Sequence, residues 1–232
     1  MRRIWNDLTS MRLLLALSTC ICLISCSQDK TTETIRSAYY WSTTWQMDNS
    51  KKNFIQKHHI KRLYVRFFDV VRDADGEIMP NATLQFDTAD EKRTTEEKEK
   101  ESLMPKGMEI IPVVYIVNDC LKANTKTNPI SSDKSGRKSS DETPRQLADK
   151  ILNRILQMNE ANDIGNVKEI QIDCDWTAST QEAYFEFLHF LKEKAKDKQI
   201  QLSATIRLHQ LSMTPPPVDR GILMMYNTGD VK

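Results

Sequence analysis

The sequence predicts an α/β fold, a (β/α)8 barrel of the TIM type that stops after its sixth strand. Three observations point there. Strand-like and helix-like stretches alternate through the second half of the 232-residue chain, and right-handed crossovers turn such an alternation into a parallel sheet with helices outside. Polar residues project from one face of several strands near their ends, and no glycine-rich phosphate loop follows the first strand, which favours a barrel over an open doubly wound sheet. The count reaches six principal strands where a closed barrel uses eight in roughly 250 residues, so the barrel is expected to be incomplete.

The stretch that organises the rest is Glu169–Thr177, E-I-Q-I-D-C-D-W-T. Side chains alternate along a strand, so Ile170, Ile172, Cys174 and Trp176 share one side and Gln171, Asp173, Asp175 and Thr177 the other. Two carboxylates two residues apart stand roughly 6–7 Å from each other. At that spacing they shift each other's proton affinity and can hold one reacting group between them. A solvated strand face, or a buried pair satisfied by a neighbouring arginine, would give the same pattern.

Taken in order, Ser37–Trp45 reads as the first strand, aromatic and β-favouring, with rings that suit either core packing or a sugar-stacking wall. Asp48, Asn49 and Ser50 offer caps for a short helix through His58. Ile60–Val71 is the second strand, with Arg66 and Asp69 near its far end. A turn at Asp73–Gly76 precedes a strand-like Ala82–Phe86, and the mixed-charge run Asp87–Glu101 reads as solvated helix or loop. Met108–Val117 is a buried strand by its unbroken apolar run, although Pro112 inside it removes a ladder donor, which a barrel tolerates at a bulge. Lys122–Asp141 is polar and reads as a surface loop.

Thr143-Pro144 supplies a cap and a first-turn proline for a helix whose inward stripe is Leu147, Ile151, Ile155 and Met158. After the focal strand, Thr180–Lys198 carries Tyr184, Phe187, Leu188, Leu191 and Ala195 on one helical face. Gln201–Leu211 alternates, placing Ser203, Thr205, Arg207 and His209 together, which predicts a strand over the whole run. Pro215-Pro216-Pro217 is a stiff connector, and Gly221–Asn227 is the last buried strand. Asp173, Asp175, Arg207 and His209 are then expected at the barrel mouth.

Composition excludes little. Lys plus Arg (33) nearly balances Asp plus Glu (32), which gives no reason to expect a nucleic-acid partner. The four His are scattered, and no C-x-x-C or H-x-x-x-H spacing occurs, so neither a metal nor another cofactor is expected. The beginning of the chain reads as targeting sequence. Arg2 and Arg3, or Arg12 after Met11, precede an apolar run, Leu13–Leu23, too short to span a bilayer comfortably.

That run ends in Leu23-Ile24-Ser25-Cys26, which resembles the lipobox of bacterial lipoproteins. The resemblance implies cleavage before Cys26, lipidation of Cys26, and a membrane-anchored protein of the cell envelope, the outer membrane more than the inner. Residues 1–26 are then the signal peptide ending at the lipidated cysteine, 27–36 a tether, and 37–232 the incomplete barrel. Of five cysteines, Cys120 and Cys174 remain in the mature domain, where two buried thiols are expected.

Ile172-Asp173-Cys174-Asp175-Trp176-Thr177 resembles the strand-four signature D-x-x-D-x-D-x-E of family 18 glycoside hydrolases, the chitinases and endo-β-N-acetylglucosaminidases. Asp173, Asp175 and Trp176 match, while Ile170 replaces the first Asp and Thr177 the catalytic Glu. Met224-Met225-Tyr226-Asn227 is similar to that family's M-x-Y-D, and Leu202–Thr205 falls at its fifth strand. The chain is similar, too, to bacterial barrel lipoproteins of unassigned activity with I-D-x-D at this strand. The glycosidase resemblance implies a carbohydrate partner of the N-acetylglucosamine type, whose own acetamide attacks the anomeric carbon. It implies catalytic positions at Asp173, Asp175 and Tyr226, with Asp175 orienting the acetamide, Asp173 its partner and Tyr226 steadying the oxygen. Trp176, Arg66, Asp69, Arg207, His209 and Asn227 are the accompanying substrate-binding candidates.

Thr177 cannot act as the general acid, because a hydroxyl does not release its proton near neutral pH, and losing that role typically costs about 10²–10⁴-fold in rate. Another carboxylate, Asp69 or Asp119, would have to serve, or the protein binds glycans without cutting them. The alternative is a non-catalytic barrel lipoprotein acting as a surface scaffold or assembly component. In that case Asp173 and Asp175 are expected to be buried in ion pairs with Arg66 or Arg207.

Overall fold

A computed structural model of the chain describes residues 34–86, 105, 107–122, 143–165 and 167–225. The expectations at Cys26, Tyr226 and Asn227, the leader and tether up to residue 33, the charge run from residue 87 to 101 and the polar loop from 123 to 141 lie outside the described residues.

The main sheet joins β1 (Ser37–Tyr40), β3 (Arg62–Arg72), β6 (Glu109–Ile116), β7 (Glu169–Cys174), β8 (Gln201–Ile206) and β9 (Arg220–Leu223), in that order and every pair parallel. Strands that neighbour one another in sequence order, all running one way, form a partial (β/α) barrel. A second, two-stranded parallel sheet pairs β2 (Thr44–Trp45) with β5 (Gln85–Phe86). The expected first strand thus divides in two, β1 entering the barrel and β2 leaving it for β5. The helix α1 (Asn49–Lys57) starts from Asp48, whose side chain accepts the Lys51 amide, a free donor at every helix start.

One strand was missed by sequence reasoning. β4 (Ile78–Asn81) folds back antiparallel on the far half of β3, through the turn at Asp73–Gly76. There Asp73 Oδ1 accepts the amides of Asp75 and Glu77, and Gly76 takes a φ of 92° that side chains other than glycine's resist.

The helices α2 (Pro144–Ala161) and α3 (Gln181–Asp197) are where the periodicity places them. Thr143 and Gln146 close a reciprocal capping box around the first turn of α2, which satisfies two otherwise orphaned amides. Leu147, Ile151 and Ile155 of α2 and Tyr184, Phe187, Leu188, Leu191 and Ala195 of α3 are buried in one cluster. Leu63, Val65, Ile110, Val114, Ile116, Ile170, Ile172, Cys174 and Leu202, from the outward faces of the strands, belong to the same cluster. This layer of sheet against helices is the hydrophobic core and takes most of the apolar area out of water.

The inward face is different in chemistry. Its apolar part is small, with Tyr64, Ile111 and Val113 packed by Tyr39 and Ile222. Below it, at the N-terminal ends of the strands, Arg62 pairs with Glu109 at 2.7 Å and stands 3.9 Å from Glu169, while Arg220 also pairs with Glu169. Charges removed from water in this way persist only when paired.

A β-bulge in β3 falls between Arg66 and Phe68. Phe67 and Phe68 both turn into the helix-side core, and the extra residue's carbonyl is satisfied by the Leu84 amide at 2.7 Å. Strict alternation would send Arg66 and Asp69, three apart, to opposite faces. The bulge brings them to the same one. Pro112, opposite Val65, is accommodated within β6, and β7 begins its pairing with β6 one residue later, at Val113.

Arg72, at the end of β3, holds the turn that follows β6. Its guanidinium donates to the carbonyls of Gly76 (2.8 Å), Asp119 (3.3 Å), Cys120 (3.2 Å) and Lys122 (2.8 Å). Asp119 and Cys120 belong to the 3₁₀ turn Asn118–Leu121, and Lys122 caps its end. Arg72→Met keeps the aliphatic stem and removes every one of these donors, so it is expected to lower unfolding stability by about 1–3 kcal/mol. Urea denaturation followed by tryptophan fluorescence checks this, and an unchanged midpoint would contradict the clamp.

Candidate functional site

The candidate site is the C-terminal mouth of the sheet, where the inward side chains of β3, β6, β7 and β8 end. Asp173 is its centre. The carboxylate is 3 % exposed and Oδ1 accepts from Thr205 Oγ1 at 2.5 Å and from Arg207 Nη2 at 2.8 Å. One step deeper, Gln171 accepts the Tyr39 hydroxyl at 2.9 Å and donates to Ser203 Oγ at 3.4 Å. A continuous polar ladder therefore runs down the inside of the strands, from the mouth toward the paired charges below.

Burial dominates the electrostatics of Asp173 and raises its pKa above the ordinary carboxylate range. Thr205 and Arg207 oppose that rise, and the neighbouring carboxylates Asp175 and Asp69 add to it. Tyr39 and Tyr115 are raised as well, each mainly by burial. Tyr115 stands beside Asp173 in the β6–β7 register. Arg66 and Asp69 form a two-pronged ion pair, Nε to Oδ1 at 2.7 Å with Nη2 to Oδ2 alongside, and the hydrogen bond to Asp69 raises the arginine's pKa.

Asp175 lies beyond the end of β7 and is open to solvent. Its side chain is 57 % exposed and lies 3.4 Å from His209 Nε2, whose side chain is 54 % exposed. His209 does not sit on a strand. β8 ends at Ile206, and Leu208–Ser212 is a 3₁₀ turn, where the alternation of residues 201–211 predicted continued strand. The reason is a single buried side chain, Gln210, which accepts the Arg207 amide at 2.8 Å and donates to the Trp176 carbonyl at 2.9 Å. It closes the turn and ties it to the segment after β7.

Trp176 corrects an expectation. It is fully buried, packed against Tyr184 and Phe185 of α3, on the helix side of the sheet with Ile170, Ile172 and Cys174. It offers no face to a ligand in the mouth. Trp41 does reach solvent, 39 % exposed just past the end of β1, stacked on Tyr39 with ring planes 5° apart, while Tyr39 stacks in turn on Tyr64. Alternation puts Tyr39 and Trp41 on one face, but nothing in the local pattern marks that face as the inner one.

Thr177 is exposed and takes part in the turn that begins α3, its amide donating to Thr180 Oγ1 and its hydroxyl 3.0 Å from that of Ser179. Of the two carboxylates considered as replacement acids, Asp69 is held by Arg66, and Asp119 sits in the turn after β6 beside Lys122 at 3.1 Å. Cys120 and Cys174 are buried thiols with no disulfide between them, and Cys120 Sγ donates to the Val70 carbonyl at 3.4 Å. Among the described residues no group of three His, Cys, Asp or Glu side chains is arranged to hold a metal, and no helix is long and apolar enough to cross a membrane.

No family model and no curated protein matches the chain. Among solved structures, it is similar to the spore cortex-lytic enzyme SleL of Bacillus cereus, at 22 % identity over 84 % of this chain and 42 % of that one, with a TM-score of 0.45. It is also similar to a chitinase from Chromobacterium violaceum (13 % identity, 84 % and 56 % covered, TM-score 0.42). A third is catalytic domain 2 of the Group II chitinase of Ostrinia furnacalis (14 % identity, 83 % and 50 % covered, TM-score 0.44). The chain spans about half the length of these structures.

The Asp173 cluster gives a pH signature. Because its folded pKa lies above the unfolded value of about 3.9, the folded chain binds the extra proton between those two values, and stability falls as pH rises through that window. Carboxyl-carbon NMR, assigned with Asp173→Asn, is expected to show Asp173 titrating above ordinary aspartates. Arg207→Gln should move it higher still, since Arg207 favours the charged form. A titration at or below the ordinary value would refute the dominance of burial.

Proposed function

We propose that this chain is a glycoside-hydrolase-like barrel whose mouth binds a glycan of the N-acetylglucosamine type. The observation that carries the reading is the pairing, at one end of the sheet, of an open carboxylate with a buried one. Asp175 faces solvent, and two residues before it Asp173 is fixed by Thr205 and Arg207. Carboxylates and hydroxyls in fixed positions, next to an exposed ring, are what sugars bind: hydroxyls to the acids, apolar ring faces to the aromatic. Trp41 supplies that ring in place of Trp176. Asp175, in this reading, meets the acetamide, Asp173 holds Asp175's surroundings in place, and Tyr226 and Asn227 complete the site as the resemblance implies.

A second reading has its own support. Asp173, buried and bonded to Arg207, is one half of the ion-paired arrangement expected of a barrel that serves only as scaffold; Asp175, the other half, is open to solvent beside His209, and Arg66 is taken by Asp69. The two readings part on binding. Isothermal titration of the full chain with N-acetyl-chitooligosaccharides is expected to give saturable heat, and Trp41→Ala to weaken it about tenfold, the size of one lost stacking contact, with an unchanged melting temperature. Absence of binding to these and to a broad glycan array would leave the scaffold.

The same reading keeps Cys26 as the lipid anchor at the cell envelope, supported by the charged start, the short apolar run and the serine before the cysteine. Metabolic labelling with an alkyne fatty acid is expected to mark the full chain and not Cys26→Ser, and the variant should leave the membrane fraction. Labelling retained in the variant would remove the anchor.

A further inference from the structure

We propose that His209, held against Asp175, is the proton donor of the mouth and takes the role that Thr177 leaves unfilled. The inference rests on the glycan reading of the site and deepens it from binding to cleavage. It begins from the acids. A donor to a leaving oxygen must reach a ligand and must carry a proton it can release near neutral pH. Asp69 is engaged by both prongs of Arg66, Asp173 is buried beneath Thr205 and Arg207, and Asp119 stands in the turn after β6 with Lys122. Thr177 is turned into the start of α3, and its hydroxyl is not an acid at that pH. An imidazole is the side chain most often placed to pass a proton to a reacting group.

His209 has both the exposure and the support. Its side chain and that of Asp175 are each more than half open to solvent, and Nε2 lies 3.4 Å from Asp175 Oδ1. The turn that carries His209 is pinned by Gln210 to the Arg207 amide and to the carbonyl of Trp176, the residue next to Asp175. Gln210 is a positioning residue: it joins the two segments that bear the histidine and the aspartate. An imidazole beside a carboxylate is oriented by it.

The step balances as a hydrolysis. The bond between the anomeric carbon and the glycosidic oxygen breaks with its electron pair going to that oxygen. The oxygen takes the proton of the His209 imidazolium and leaves as an alcohol. Water supplies the oxygen that ends on the anomeric carbon, and its proton returns to the neutral imidazole. No metal, oxidant or reductant is consumed.

The test uses leaving groups that differ in their need for a proton. The full chain and His209→Gln are assayed on an N-acetyl-chitooligosaccharide, whose alcohol leaving group must be protonated, and on 2,4-dinitrophenyl N-acetyl-β-glucosaminide, whose phenolate leaves without one. The expected result is a loss of about 10²–10⁴-fold on the oligosaccharide and only a few-fold on the activated glycoside, with oligosaccharide binding by calorimetry weakened far less than oligosaccharide turnover. Equal losses on both substrates, or none on either, overturn the role of His209. Binding by the full chain with no turnover overturns it too, while leaving the glycan reading in place. No binding at all removes the glycan reading first, and the inference with it.

Discussion

The carboxylate of Asp173 and its two donors hold the candidate site together. An acid this deeply buried costs free energy in its charged form unless hydrogen bonds answer it, and the answers come from the next strand and its following turn, at Thr205 and Arg207. Their positions are set by the β7–β8 register, which pairs Gln171 with Ser203 and Ile172 with Ala204. A slip of one residue between those strands would exchange their faces and leave the acid without either donor. Chemistry at the mouth and alignment of the strands are thus one constraint, and the helix-side core of Ile170, Ile172, Cys174 and Leu202 enforces it from the opposite face.

That division of labour explains how a sheet with so polar an interior is stable. The outward side chains form a continuous apolar layer under α2 and α3, and this layer bears the burial. The inner face is left to Gln171, Ser203, Thr205 and the ion pairs of Arg62, Glu109, Glu169 and Arg220, which fix geometry more than they stabilise. Two such faces on one strand are the physical content of the alternation in Glu169–Cys174.

Much of this was legible in the sequence because it depends on local rules. The split faces of residues 169–176, the capping box at Thr143 and Gln146 and the apolar stripes of α2 and α3 all follow from side-chain periodicity and short-range hydrogen bonding. What was hidden depends on contacts between distant segments. β4 is too short and too poor in β-branched residues to read as a strand, and forms because β3 offers it an edge. The 3₁₀ turn at Leu208–Ser212 is made by Gln210 reaching Trp176, thirty-four residues away in sequence. Trp176 is instructive in the other direction: its own alternation puts it with the oily residues, and only the family resemblance moved it to the ligand side. Trp41 was visible merely as one aromatic among several.

The bulge in β3 has a reach beyond its own position. Up to Arg66 the strand keeps one phase, and from Phe68 onward it keeps the other. Deleting Phe67 would therefore restore plain alternation and leave each remaining side chain on its present face, Phe68 against the helices and Asp69 beside Arg66 on the inner side. What would go is the carbonyl that receives the Leu84 amide. The surplus residue thus serves the crossing segment that ends at Leu84, while the polarity of the opening is written in the residues on either side of it.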